Sequence, residues 1–258
     1  MSASRPLWTP PDEHVQNSHL THYLDWLNIR RGIKFSDYHA LWSWSVEHPE
    51  AFWTSVWQYF DVASSAPYDK VLSGAMPNAR WFAGSRLNYA AHVFRRADAG
   101  RPALLFQSEH VPLTEISWAE LEAETAALAH HLRQAGVRRG DRVVAYLPNV
   151  PAATVGFLAA AALGAVWSSC SPDFGVGGVV DRFQQIEPKV LIAVDGYRYG
   201  GKAFDKRAAV RALREALPTL TETILLPYLD PEATLDGTTP WAEATATRTP
   251  LVFADVPF

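Results

Sequence analysis

The chain has 258 residues, of which 48% are hydrophobic and 19% charged, so it can bury a substantial core and is not disordered for want of apolar residues. Its 23 Lys and Arg residues nearly balance its 27 Asp and Glu residues, which argues against nucleic acid binding as its main task. The single cysteine, Cys170, excludes an internal disulfide framework and a cysteine-based zinc site, and it indicates a reducing compartment such as the cytoplasm.

Neither the start of the chain nor its longest uncharged stretch predicts a membrane segment. The first residues, MSASRPLWTPP, contain no apolar core of the kind that a signal peptide needs, so we expect none. The stretch between Arg142 and Asp173 carries no charge, but it is rich in alanine and is interrupted at Pro148 and Gly164. A bilayer span needs about 20 strongly apolar residues. We therefore interpret this stretch as a buried strand, helix and strand, and we expect no membrane partner.

Tryptophans are concentrated in the first part of the chain, residues 1–96, which we predict to be a helical cap. Seven of the ten tryptophans fall within the first 81 residues. Residues 35–60 are predicted to form two short helices that meet at His48-Pro49, because proline is favoured at the first position of a helix. The spacing from Trp42 to Trp57 is helical, which is more typical of a core or docking surface than of a ligand cage.

The second part, residues 97–258, alternates strands with helices. The longest predicted helix starts at a capping box formed by Ser117 and Glu120 and ends at Gly136. Strands separated by helices indicate a parallel sheet with helices on both faces. The tail from Asp230 has no clear periodicity. The strands are predicted at residues 103–106, 142–147, 165–168, 189–194 and 223–226.

Common catalytic and nucleotide-binding motifs are missing. The sequence contains neither G-x-G-x-x-G nor G-x-x-x-x-G-K-[ST], which disfavours a Rossmann dehydrogenase, and it has no G-x-S-x-G nucleophile elbow. His14, His19 and His22 could hold a metal, but chance proximity is the favoured interpretation, and we assign no metal ligand. His130 and His131 lie on a helix that looks exposed and are given no role.

A basic segment, residues 198–214, follows the predicted strand KVLIAV and begins in the turn DGYRYGGK. Ligands of open α/β sheets bind beyond the carboxyl ends of the strands, and Arg or Lys side chains there can clamp a phosphate. For Arg198 and Lys202, chemistry alone leaves two alternatives open, a phosphate contact and a solvated basic face. For the arginines farther along the helix, a solvated face is favoured.

Three passages resemble one enzyme family. WFAGSRLNYA, residues 81–90, is similar to the motif at which the cap of acetyl-CoA-synthetase-like enzymes meets the adenylating domain. Residues 136–175 resemble the first α/β unit of the adenylate-forming acyl-CoA synthetases. The segments WSSCSPDFG, DRFQQIEPKVL and DGYRYGGK resemble the acetoacetyl-CoA synthetase group of that family. The resemblance runs from about residue 35 to residue 228.

The resemblance implies a fold class and a reaction. The fold is α/β, with a helical N-terminal cap followed by the first parallel-sheet subdomain of an adenylate-forming enzyme, incomplete. The reaction joins acetoacetate to coenzyme A through an acyl adenylate. The complete enzyme consumes ATP in this reaction and binds Mg²⁺. Of the arginine pair that meets the 3′-phosphate of coenzyme A in this family, the first matches Arg198 and the second falls on Gly201. Lys202 is a candidate substitute as a point charge.

The family's phosphate loop, its adenine and ribose motifs and its lid lysine have no match in the sequence. We therefore assign no catalytic residue and expect the ATP and Mg²⁺ sites to lie mostly outside this chain. The chain is expected to be the N-terminal portion of a cytoplasmic ligase, inactive alone, with the rest of the ligase as its structural partner. The alternatives left open are a fragment of an acetate- or propionate-type ligase and a non-catalytic module that binds coenzyme A.

Overall fold

The computed structural model describes residues 7–258; the first six residues, part of the stretch in which no signal peptide is expected, lie outside it. The described chain forms two compact units. One runs to Ser85 and includes Pro257–Phe258, and the other comprises Arg86–Val256. The domain boundary predicted from the sequence, between residues 96 and 97, stays a prediction.

The first unit is mainly helical. Its small buried core consists of Tyr23, Leu27 and Leu41, surrounded by partly buried aromatic side chains. Pro49 opens α4 at the predicted break between the two helices, where its missing N–H leaves no hydrogen bond unmade. Its elements are α1 (Asp12–Gln16), α2 (His19–Arg31), α3 (Tyr38–Glu47), α4 (Pro49–Tyr59), β1 (Lys70–Ser73) and β2 (Arg80–Ala83), with β1 and β2 antiparallel.

The second unit alternates strands and helices, as predicted. A short 3₁₀ turn at Gln184–Ile186 follows α8. The elements are β3 (Arg86–Leu87), α5 (Tyr89–Phe94), β4 (Leu104–Phe106), β5 (Thr114–Ile116), α6 (Trp118–Gln134), β6 (Arg142–Tyr146), α7 (Pro151–Ala162), β7 (Val166–Cys170), α8 (Val176–Phe183), β8 (Val190–Val194), β9 (Gly196–Tyr199), β10 (Lys202–Asp205), α9 (Arg207–Ala216), β11 (Glu222–Leu226), β12 (Thr239–Pro240) and α10 (Trp241–Ala244). The last strand, β13 (Val256–Pro257), begins at the final residue of this unit.

A five-stranded parallel sheet forms the centre of this unit, in the order β12-β11-β8-β6-β7. Successive residues of a strand point to opposite faces. Val143 and Ile192 pack on one face among side chains of α6 and α7, whereas Val144 and Leu191 pack on the other among side chains of α8 and α9. All five residues of β8 are buried, which explains why its sequence is a continuous apolar run. The predicted sheet with helices on both faces is confirmed.

Local signals place the helices that cover the sheet. The capping box is present: the backbone N–H of Glu120 donates to Oγ of Ser117, and that of Ser117 donates to Oε2 of Glu120. In α7, Gly156 lies against Trp167, and a Cβ atom there would be 2.7 Å from Cη2 of that indole. Cys170, a free cysteine, is buried at the end of β7. No helix within residues 7–258 combines the length and apolar character needed to cross a bilayer.

The structure differs from the sequence-based picture in two places. The tail, which has no periodicity, contributes β12 to the sheet edge and α10 to the core; elements of two and four residues are too short to show a period. The helix carrying His131 is not exposed, since seven of its residues are buried. The interpretation of that helix as exposed was wrong, because three of its alanines are buried together with its leucines.

Candidate functional site

The turn singled out in the sequence is an antiparallel hairpin, β9–β10, that directly follows β8. Arg198 pairs with Ala203 and Lys202 with Tyr199 across the two strands. Directly paired residues share a face and successive residues alternate, so Arg198 and Lys202 lie on opposite faces of the hairpin. Both are exposed, beyond the carboxyl end of a buried parallel strand, where ligands of open α/β sheets bind.

The tip of the hairpin is held by a carboxylate from a distant loop. Gly200 and Gly201 have φ values of 57° and 73°, the left-handed conformation that a two-residue hairpin turn requires. Their backbone N–H groups donate to Oε1 and Oε2 of Glu109 at 2.7 and 2.8 Å. These bonds, together with the positive charge of Arg198, hold the pKa of Glu109 below its usual range. The carboxylate at the tip is therefore ionised at neutral pH.

The base of the hairpin is fixed by Asp195, which is 2% exposed. Its carboxylate accepts hydrogen bonds from the backbone N–H groups of Tyr228 (2.7 Å), Leu229 (2.9 Å) and Asp230 (2.9 Å). Its carbonyl accepts from the N–H of Lys206 at 2.7 Å. One side chain thus ties the end of the hairpin to the loop that follows β11.

Gly196 lets the hairpin leave the sheet close to other backbone. A Cβ atom at this position would lie 2.5 Å from the carbonyl oxygen of Phe204 and 2.6 Å from Cδ2 of Leu229. Both distances are shorter than Cβ contacts allow, so only glycine fits. The residue explains why the sequence has DG directly after the buried strand.

A third contact joins the hairpin to the loop after β7. The hydroxyl of Tyr197 donates to Oδ1 of Asp173 at 2.5 Å, and Oγ of Ser171 donates to Oδ2 of Asp173 at 2.8 Å. Burial and the bond to Asp173 raise the pKa of Tyr197 to about 12, and the same bond lowers the pKa of Asp173. The segments WSSCSPDFG and DGYRYGGK, which carry much of the resemblance, are therefore bonded to each other in space.

Two other basic side chains of the segment, those of Arg207 and Arg214, have partners of their own. Arg207 pairs with Asp205 at 2.5 Å, and Nη1 of Arg214 donates to the carbonyl oxygen of Asp236 at 2.6 Å. Neither Arg198 nor Lys202 makes an ion pair within the described part of the chain. Arg198 and Lys202 thus each present an exposed positive charge on the hairpin.

Most of the residues that support the hairpin were not predicted from the sequence. Asp195 carried a usable signal, because an acid directly after a buried strand lies at the ligand-binding edge of the sheet. Glu109 carried none, since it is 91 residues from Gly200 and lies in a short loop. The three histidines considered as metal ligands lie on α1 and α2. Within residues 7–258, no three His, Cys, Asp or Glu side chains lie close enough together to hold a metal ion.

Comparisons with known proteins define the class. Residues 92–254 match the family described as AMP-binding enzyme, and residues 38–93 match the family described as acetyl-coenzyme A synthetase N-terminus. The chain belongs to the AMP-binding enzyme family, with the N-terminal segment typical of acetyl-coenzyme A synthetases.

Within that family the chain is similar to acetoacetyl-CoA synthetases. It is 41% identical over 265 residues to acetoacetyl-coenzyme A synthetase of Rhizobium meliloti (strain 1021), which covers 100% of this chain and 40% of that protein. It is 39% identical over 209 residues to acetoacetyl-CoA synthetase of Rattus norvegicus, covering 80% of this chain and 31% of that protein. The chain thus spans well under half the length of these curated relatives.

A solved structure agrees with these matches. Acetoacetyl-CoA synthetase from Streptomyces lividans superposes with a TM-score of 0.91 and 46% sequence identity, over 98% of this chain and 40% of that one. The resemblance and the fold class expected from the sequence are both confirmed.

Proposed function

We propose that the chain is the N-terminal portion of an acetoacetate–CoA ligase, which converts acetoacetate, ATP and coenzyme A into acetoacetyl-CoA, AMP and pyrophosphate. The observation that carries the proposal is the superposition of nearly the whole chain on acetoacetyl-CoA synthetase from Streptomyces lividans at 46% identity. The single, buried, unbonded cysteine supports a reducing, cytoplasmic location.

The reaction needs two steps because a carboxylate is a poor electrophile. Transfer of the acid to the α-phosphate of ATP releases pyrophosphate and makes AMP the leaving group; the thiol of coenzyme A then displaces AMP. Stabilising the charge on the transferring phosphate requires preorganised cationic groups. The described residues contain no carboxylate cluster suited to Mg²⁺, so in our proposal the residues that hold this ion lie outside this chain.

This chain contributes to the coenzyme A side of the site. In our proposal the guanidinium of Arg198 contacts the 3′-phosphate of coenzyme A. Its exposure, its place beyond the end of β8, and a hairpin fixed at both ends support this role. Lys202 lies on the other face of the hairpin, so it can reach only a different part of the ligand.

The test uses the complete ligase, with acid-dependent pyrophosphate release and coenzyme A consumption measured separately. Release should require acetoacetate in preference to acetate or propionate, and the isolated 258-residue chain should give none. Arg198→Ala should raise the KM for coenzyme A by one to two orders of magnitude, because a hydrogen bond to a charged group contributes about 1.5–3 kcal/mol. The adenylation step should be unchanged.

Dephospho-coenzyme A, which lacks the 3′-phosphate, is the internal control. Arg198→Ala should hardly change its use, and Lys202→Ala serves as the matched loss of charge on the opposite face. If the Arg198→Ala enzyme still discriminates between the two thiols as strongly as wild type does, the assignment of Arg198 fails. A preference for acetate or propionate would instead refute the proposed acid substrate.

A further inference from the structure

The β9–β10 hairpin has little intrinsic stability. It contains only two strands, all four residues of β10 are exposed, and its tip is Gly200-Gly201. Two-stranded hairpins are marginally stable in water, and glycine loses more conformational freedom on ordering than any other residue. The position of Arg198, two residues before the tip, therefore depends on contacts from outside the hairpin.

Those contacts differ at its two ends. The base is covalently continuous with β8 and is fixed by the buried carboxylate of Asp195. The tip is held by Glu109, whose two oxygens each accept one backbone N–H, from Gly200 and from Gly201. Hydrogen bonds to an ionised acceptor are shorter and stronger than neutral ones.

The loop that carries Glu109 is itself anchored. Oγ of Ser108 lies 2.9 Å from the hydroxyl of Tyr228, and Nε2 of His110 lies 3.3 Å from the carbonyl oxygen of Tyr228. The rings of His110 and Tyr228 are 4.7 Å apart. Because the backbone N–H of Tyr228 donates to Asp195, the supports of the base and of the tip converge on one loop.

We propose that Glu109 is a positioning residue: it fixes the tip of the hairpin and thereby holds the Arg198 guanidinium where the 3′-phosphate of coenzyme A binds. The inference rests on the proposed function. Glu109 is an exposed acid beside the proposed site for a phosphate, and its negative charge alone would weaken binding. In this inference its net effect on the binding of coenzyme A is nevertheless favourable. The gain from ordering the tip exceeds the repulsion, because solvent screens the charge of an exposed carboxylate.

The structural arm of the test uses the 258-residue chain. In Glu109→Ala, the amide hydrogens of Gly200 and Gly201 should exchange with solvent about tenfold faster or more, since both lose a charged acceptor. Glu115→Ala is the matched control, because Glu115 is an exposed glutamate on β5. It should leave both glycine amides unchanged. Unchanged exchange in Glu109→Ala would overturn the proposal.

The kinetic arm uses the complete ligase. Glu109→Ala should raise the KM for coenzyme A about tenfold, while leaving adenylation and the use of dephospho-coenzyme A unchanged. Glu109→Gln should fall between wild type and Glu109→Ala, because its amide oxygen still accepts one N–H. Adding Glu109→Ala to Arg198→Ala should cause no further rise in KM, since the two residues act through one contact.

Three outcomes would overturn the inference. A fall in the KM for coenzyme A would mean that Glu109 competes with the phosphate, and an unchanged KM would mean that the tip needs no support. A rise that persists in the Arg198→Ala background would place the effect elsewhere. Failure of the proposed function is distinct, because it would be seen in the wild-type ligase or in Arg198→Ala alone.

Discussion

The parallel-sheet unit and the helical unit are stabilised by different kinds of core. In the sheet unit, aliphatic side chains on both faces of the strands are fully buried, and β8 is covered along its whole length. In the described part of the helical unit only four hydrophobic residues are buried, and the packing depends on rings such as those of Tyr23 and Tyr59, 5.0 Å apart and edge to face. The sheet core is thus stabilised by the burial of many aliphatic side chains, whereas the helical core depends on contacts among a few aromatic rings.

The polar contacts of the two units differ in the same way. In the helical unit the hydroxyls of Tyr23 and Ser55 lie 2.5 Å apart, a neutral pair inside a ring cluster. A cavity of about 560 Å³ also opens among α2, α3 and α4. In the sheet unit a partly buried pair can be ionic: Nε2 of His131 lies 2.6 Å from Oε1 of Glu222. The stability of the sheet unit should therefore fall when a larger side chain is introduced into its core, and it should depend on pH. The stability of the helical unit should respond less to either change.

The largest expected effect comes from adding volume beside the sheet. Gly156→Val would drive a side chain into Trp167, 2.7 Å from the position of Cβ, and towards Ile192 at 3.3 Å. Overpacking of a dense core costs about 1–3 kcal/mol of unfolding free energy, and a contact this close places Gly156→Val at the upper end of that range. Chemical denaturation with hydrogen exchange should show the loss in the sheet unit and not in the helical unit.

Gly177→Val is the matched control for this substitution. Gly177 also lies in a helix of the sheet unit, but no atom comes within 4 Å of its Cβ position. Its stability should change by less than about 0.5 kcal/mol, the usual range for exposed positions. Equal losses for the two variants would contradict the account of the sheet core.

A smaller effect, dependent on pH, is expected from Glu222→Gln. The bond to Glu222 raises the pKa of His131 against the effect of burial, helped by the charges of Glu222 and Glu243. Burial would raise the pKa of Glu222, but the bond and charge of His131 lower it overall. The pair thus contributes fully below the unfolded pKa of His, about 6.5, and above that of Glu, about 4.3.

The sign of the pH dependence follows. Because the folded pKa of His131 is raised, its stabilisation is lost as the pH rises through that value. Glu222→Gln should cost about 1.5 kcal/mol near pH 5.5, in line with hydrogen bonds between charged groups, and less near pH 9. Denaturation of both proteins across this range measures it, and a gap that widens at high pH would contradict the assignment.

The smallest effect should be equal in the two units. Ser117 caps α6 in the sheet unit and Ser18 caps α2 in the helical unit, each accepting a backbone N–H three residues on, at 3.2 and 3.1 Å. Replacing either by alanine should cost about 1 kcal/mol, because a cap satisfies local backbone donors whatever the core is made of. Chemical denaturation of the two variants tests this. A severalfold difference between the two losses of unfolding free energy would mean that the contribution of a helix cap depends on the kind of core beneath the helix.

The sequence predicted what depends on neighbours along the chain. The continuous apolar run of β8 and the capping box at Ser117 are local patterns, and the structure has both. It could not predict the contact of Glu109 with Gly200 or that of His131 with Glu222, which join residues about ninety positions apart. Such contacts depend on which loops the sheet brings together, and a single sequence contains no periodic signal for them.

The single thiol of the chain has a practical consequence. Cys170 is buried at the end of β7 beside the central strands, and burial raises the pKa of its thiol. Since alkylating reagents react with the thiolate of an accessible cysteine, the native chain should resist them. Labelling then requires opening of the structure around Cys170, so the labelling rate should be proportional to the fraction of molecules that are open there. The protein contains its own probe for opening of the sheet, and no residue has to be added to use it.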